Sequence, residues 1–180
     1  MADKPLRADA RRNRELVLTA ARDLLARDGA AVSFDAIARA AGVGVGTVYR
    51  HFPDRQALFA AVVLDRIVTF TSDARAATGA ADPGAEFVAF FERLAHQVAL
   101  NQALCDAMDG GLLVPQELRA DFLAALGALL ARAQQAGVIR ADLDVTDVLD
   151  LVIGFAAAAR RGRTDRILAV AIAGLQVSRS

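Results

Sequence analysis

Between Ser33 and Asp54 the chain reads SFDAIARAAGVGVGTVYRHFPD. Two segments with helical apolar spacing flank a glycine-bearing turn, and Pro53 closes the second. Helices only about two turns long are not stable alone in water, so this stretch folds only as part of a packed helical unit. Ser33 is a good N-cap, and Phe34, Ile37, Ala38 and Ala41 share one face of the first segment. Gly42 ends it. A second short helix carries Val48 and Phe52 inward at i and i+4, and it stops before Pro53, because the residue preceding a proline disfavours helical geometry.

The alternating glycines Gly42, Gly44 and Gly46 also raise the possibility of a phosphate-cradling loop. A dinucleotide fingerprint needs a preceding strand and a glycine where Thr47 stands; a P-loop needs a Gly-Lys-Ser/Thr sequence, and no lysine is nearby. Both fail. Two short helices joined by a tight glycine turn describe a helix-turn-helix. Small Ala38 stands where the helices cross, Gly42 in the turn, and Val48 in the core of the second helix. Gly44 and Gly46 then fall at the end of a helix expected to enter the major groove. Bare backbone there permits close approach to DNA, and N–H groups at a helix start favour phosphate oxygens.

The surrounding sequence is helical throughout. Before the motif, Leu16, Val17, Ala20, Ala21, Leu24 and Leu25 recur at helical spacing, with Gly29 as a stop. After it, Asp54 caps a helix with an apolar stripe of Leu58, Phe59, Val62, Val63 and Ile67. Period-two runs of β-branched residues are missing, while alanine, leucine and arginine recur. At 180 residues and 55% hydrophobic, a chain of this size buries roughly 70% of its unfolded surface without needing staples. The fold class expected is all-α.

Charge is unevenly spread. The net charge is zero, yet residues 1–55 hold ten Lys/Arg against seven Asp/Glu, and the remainder carries the opposite excess. Lys4, Arg7, Arg11, Arg12 and Arg14 crowd the first turns. A basic head on an acidic body suits a polyanion partner for the head, or a solvated arm. The single cysteine excludes an internal disulfide and suits a reducing cytoplasm. No secretory signal is visible, and the longest apolar run, 151–159, falls well short of the ~20 residues that span a bilayer. The protein is expected in the cytoplasm without a membrane partner.

On these residues, SFDAIARAAGVGVGTVYRHFPDRQALF (33–59) resembles the signature of TetR-family one-component transcriptional regulators. In that family the Thr-hydrophobic-Tyr-x-His-Phe segment is the recognition helix. The commoner serine is replaced here by Gly44, which removes one hydroxyl for phosphate. The resemblance implies phosphate and base-edge contacts at Thr47 and Tyr49, and a phosphate contact from Arg55 at the start of the fourth helix. Tyr49 could instead pack within the small domain. Val45 can only meet a thymine methyl, and Arg50 can reach guanine or a phosphate. His51 either donates to the DNA backbone or wedges between the third and fourth helices; Ser33 is a cap and a possible phosphate ligand.

The expected organisation is a three-helix DNA-binding domain over 1–53 and a helical effector-binding and dimerisation domain over 54–180. In the latter, a long helix at roughly 84–107 carries Phe87, Phe90, Phe91 and Leu94 on a broad apolar face, followed along the stripe by Gln97, Asn101 and Cys105. These residues form either a ligand-pocket wall or, for the polar ones, an exposed edge of the stripe. The last two helices are apolar on more than one face, with Val148, Val152 and Phe155 on one and Leu168, Ile172 and Leu175 on the other. Such helices are buried on all sides. The resemblance implies a four-helix dimer bundle there, and a twofold dimer presents two recognition helices to a palindrome.

Only two histidines, His51 and His96, occur, with no metal-ligand spacing or nucleophile–base arrangement; neither an enzyme nor a cofactor is expected. Cys105 reads as a thiol sensor or as inert packing. The sequence therefore points to a ligand-responsive, dimeric DNA-binding regulator, expected to act as a repressor, with an unidentified small-molecule effector. The alternative is a helical protein-interaction module whose helix-turn-helix is vestigial.

Overall fold

The computed structural model describes residues 3–28, 32–100, 114–159, 161–162 and 164–177. Among these the regular elements are eight helices: α1 (Asp3–Asp28), α2 (Phe34–Ala41), α3 (Val45–His51), α4 (Arg55–Ala77), α5 (Pro83–Leu100), α6 (Gln116–Gln135), α7 (Val145–Ala159) and α8 (Thr164–Leu175). The strand-like pairing among the described residues is one isolated antiparallel bridge, Ile139 with Gln176. The chain divides into two compact units, Met1–Val63 and Leu64–Ser180, and the division falls inside α4.

The first unit is built around one apolar cluster. Val17, Leu18, Ala21 and Leu24 of α1 meet Phe34, Ile37 and Ala38 of α2, with Val48, Phe52, Leu58 and Val62 completing it. One detail differs from the sequence expectation: Leu16 is 41% exposed, while Leu18 is 4% exposed. At about 100° per residue, the arc set by Val17, Ala21 and Leu24 takes in Leu18 on one flank and leaves Leu16 beyond the other. The Arg14 guanidinium lies 5.4 Å from the Phe52 ring centroid and covers that side of the core.

Local chemistry dictates the turn between α2 and α3. The Ser33 hydroxyl accepts the Ala36 N–H at 3.2 Å, which starts α2. Gly42 ends it in the left-handed region, at φ 67° and ψ 28°, where only glycine sits without a Cβ penalty. The Val43 N–H then reaches back to the Ala38 carbonyl at 3.0 Å, and the Gly42 N–H to that of Arg39 at 3.3 Å. Gly44, at φ −70° and ψ 144°, opens α3 without a side-chain cap. Asp54 accepts the Ala57 N–H at 2.7 Å and starts α4.

In the second unit α5 is central and packs against α6 and α7, and α7 packs against α8. Its apolar face of Phe87, Phe90, Phe91, Leu94 and Val98 is fully buried, and Phe90 meets Phe70 of α4 edge-on at 6.0 Å between centroids. Close approach explains Gly84: a Cβ there would lie 2.6–2.7 Å from three Val138 side-chain atoms. The segment after α6 is tied to the end of α8 by Arg140 N–H to Leu175 O and Val177 N–H to Val138 O, each 3.0 Å.

Candidate nucleic-acid interface

α3 is amphipathic within seven residues. Val48 is 0% exposed and anchors it to the core, while Val45 is 37% and Tyr49 55% exposed. Gly46 and Arg50 are exposed beside them, and Thr47 and His51 are half-buried at the flanks. Residues 45, 46, 49 and 50 fall on one helical face by the i, i+4 rule. The structure thus brings Val45, Gly46, Tyr49 and Arg50 onto one outward row, with Gly44 at its head.

Tyr49 both packs and protrudes. Its ring lies 4.8 Å from that of Phe34, tilted by 54°, while more than half of the residue remains open to a partner. The packing reading of this tyrosine is seen in the ring contact with Phe34, which steadies a ring whose outer side stays accessible. Arg50 lies back along its own helix: Nε donates to the Gly46 carbonyl at 3.1 Å and Nη2 to Thr47 Oγ1 at 3.2 Å. His51 stands 6.3 Å from the Phe52 ring.

Arg55 reaches the residue before Ser33 at the start of α2. Arg55 Nη2 donates to the Val32 carbonyl, next to Ser33, and its guanidinium lies 6.0 Å from the Phe59 ring centroid. Arg55 therefore ties the segment before α2 to the start of α4, while the exposed Ser33 serves as cap. Arg11 and Arg12 lie exposed on α1. Two partners escaped the sequence reading, Phe34 as the platform for Tyr49 and Arg14 as the cover of Phe52. Both pairings cross between helices, so no local periodicity signals them.

In the second unit, Phe87, Phe90, Phe91 and Leu94 are close-packed core residues. Two open grooves of about 430 and 420 Å3 lie on this unit, lined respectively by residues such as Asp73 and Arg93, and Val88 and Gln176; Phe87, Phe90, Phe91 and Leu94 line neither. Gln97 is half-buried and accepts a hydrogen bond from Arg66 Nη2 at 2.7 Å, so its amide has a protein partner. Asn101, Cys105 and the Gly29 stop lie outside the described residues. Val148, Val152, Phe155 and Leu175 are buried inside the protomer, Leu168 nearly so, and Ile172 is half-buried. What α8 leaves outside is Ala169, Val170, Ala173 and Gly174, with Val170 62% exposed.

Among the described residues no group of three or more His, Cys, Asp or Glu could hold a metal ion. None of their helices is long and apolar enough to cross a membrane.

Comparison with known proteins agrees with this geometry. The family model for bacterial regulatory proteins of the tetR family matches residues 17–62. That for the C-terminal domain of SbtR-like transcriptional regulators matches residues 82–177. The chain is similar to the TetR transcription regulatory protein from Mycobacterium vanbaalenii, with 42% identity over 96% of this chain and 100% of that one and a TM-score of 0.71. It is similar also to the TetR transcriptional regulator SCO0520 from Streptomyces coelicolor, with 27% identity over 92% and 99% of the two chains and a TM-score of 0.71. RolR, solved with its ligand resorcinol, shares the fold at 21% identity, over 95% of this chain and 91% of that one, with a TM-score of 0.57. No curated protein matched. With a helix-turn-helix presenting an exposed α3 and matches that span both units, the chain belongs to the TetR family of bacterial transcriptional regulators, which are DNA-binding proteins and not enzymes.

Proposed function

We propose that this protein is a homodimeric repressor that binds a palindromic operator through α3 and releases it when a small-molecule effector occupies the second unit. The observation that carries the reading is the outward row on α3, in which Val45, Gly46, Tyr49 and Arg50 stand exposed over a buried Val48. A helix in the major groove needs such a row, with polar ends to read base edges and little bulk to hold it off. Thr47, Tyr49 and Arg50 are assigned to bases and nearby phosphates, and Val45 to a thymine methyl. Ser33, Arg55 and His51 are assigned to flanking phosphates, with Gly44 and Gly46 keeping the approach close.

Pairing is assigned to α7 and α8. Their large apolar residues already fill the protomer, so a second copy would meet the small exposed face of Ala169, Val170, Ala173 and Gly174. The half-buried Ile172 lies at its edge. A twofold axis there sets two α3 helices for successive half-sites. The effector is assigned to the second unit near α5, on the sequence expectation for Phe87, Phe90, Phe91, Leu94, Gln97, Asn101 and Cys105; the phenylalanines and Leu94 are buried and line neither groove, so an effector there would have to part them. Occupying this site would change the separation of the two α3 helices and so lower operator affinity.

The test is selection from a pool of random duplexes by purified protein, with sequencing, at two salt concentrations. A recovered palindrome with steep salt dependence is expected. Recovery of no motif at either salt would leave the protein as a helical interaction module with a vestigial helix-turn-helix.

A further inference from the structure

Arg50 does not extend into solvent. Its guanidinium is folded back one turn along α3, with Nε on the Gly46 carbonyl and Nη2 on Thr47 Oγ1, at 3.1 and 3.2 Å. Both acceptors are neutral, so they orient the group without neutralising it. Arginine has five N–H donors in a planar fork, and these two bonds use the edge that carries Nε. The end-on edge retains one N–H on each Nη, a pair of parallel donors able to meet the O6 and N7 acceptors of guanine. The side chain is exposed, and a Cβ built at Gly46 would find nothing within 4 Å. No other side chain therefore crowds Gly46 beside the tether.

From this geometry we infer that Arg50 reads a guanine, and that Thr47 and the Gly46 carbonyl act as positioning groups that hold its fork in the reading orientation before DNA arrives. The inference rests on the DNA-binding function proposed above and adds to it a base identity at one position of each half-site. An Arg50 extended toward flanking phosphates would give up both tethers, whereas one that meets a base through its end-on edge would keep them. Pre-setting the fork lowers the ordering cost of a long side chain on binding, and a bidentate guanine contact discriminates against other bases by about 5- to 100-fold. Gly46 contributes twice, through its carbonyl and through the side chain it lacks.

The experiment repeats the random-duplex selection with Arg50→Gln, Arg50→Lys and Thr47→Val beside the wild type. Circular dichroism melts confirm that each variant is folded. The wild type should select guanine at one position per half-site. Arg50→Gln should lose that preference, by about 5- to 100-fold in relative affinity, while the rest of the motif persists. Arg50→Lys, with no fork, should not restore it fully. Thr47→Val, which keeps the arginine but removes one tether, should relax the guanine preference at the Arg50 position, whatever the loss of its own DNA contact does to overall affinity, an effect that a merely structural threonine would not produce. An unchanged motif in Arg50→Gln with affinity lowered equally for every sequence would overturn the assignment and make Arg50 a phosphate ligand. A wild type that selects no motif would refute the DNA-binding proposal itself, and this assignment with it.

Discussion

Exchanging two of the motif glycines for alanine should move stability in opposite directions, because each is glycine for a different reason. At Gly42 the backbone is left-handed, at φ 67°, and a built Cβ meets nothing within 4 Å. No clash adds to the cost, so Gly42→Ala carries the backbone penalty alone, about 1–2 kcal/mol. For a chain of this length that corresponds to a fall of roughly 2–8 °C in Tm. Gly42→Asn should lose less, since asparagine tolerates that region. Gly46 lies inside α3 with open space at its Cβ. Gly46→Ala there removes backbone entropy from the unfolded chain and should stabilise by up to about 1 kcal/mol. Yet on the proposed operator the added methyl would fall on the face assigned to the base edges. If that interface is packed as tightly as a protein interior, the intrusion costs about 1–3 kcal/mol, or roughly 5- to 100-fold in Kd. Thermal melts of the free protein and fluorescence anisotropy on the selected duplex read the two effects separately. A Gly42→Ala protein that melts like the wild type would refute the turn argument. A Gly46→Ala protein that is more stable and binds as tightly would refute the claim that bare backbone serves DNA approach.

Other expectations are independent of these. Gly84→Ala should destabilise by about 1–3 kcal/mol through overpacking, since its Cβ would lie 2.6–2.7 Å from three Val138 atoms; a double-mutant cycle with Val138→Ala should recover much of the loss. Tyr49→Phe keeps the ring on Phe34 and should leave Tm nearly unchanged while weakening DNA binding. Tyr49→Ala should lower both. The hydrogen bond from the Arg140 guanidinium holds the Asp142 carboxyl below its ordinary range. A depressed carboxylate adds stability above its unfolded pKa and loses it as pH falls through the lower folded value, so the effect belongs to the acid limb. Both groups are exposed, which keeps it small. An NMR titration should place the Asp142 midpoint below the usual carboxylate range, and Arg140→Gln should return it.

What was legible in the sequence was local. Ser33 and Asp54 cap the helices they precede, Gly42 adopts the left-handed turn, and Val48 with Phe52 points inward, because each effect is decided within four residues. The all-α fold and the family follow from the same short-range marks. Longer-range matters were not legible. The tilt of α1 that buries Leu18 and exposes Leu16 depends on what α1 packs against. The Tyr49–Phe34 and Arg66–Gln97 pairs join residues on different helices. Apolar periodicity in α7 and α8 marks burial without saying by which chain, and Val148, Val152, Phe155 and Leu175 prove to be spent within the protomer. The tethering of Arg50 is a rotamer choice, which no residue pattern records.

The most direct test of the central claim is a titration of the protein onto its selected palindrome and onto a scrambled duplex of equal length, between 50 and 200 mM salt, with stoichiometry read by sedimentation. The account predicts two protomers per palindrome, preference over the scrambled duplex of about a thousandfold or more, and affinity that falls steeply as salt rises. Equal binding to both duplexes, or one protomer per palindrome, would contradict it.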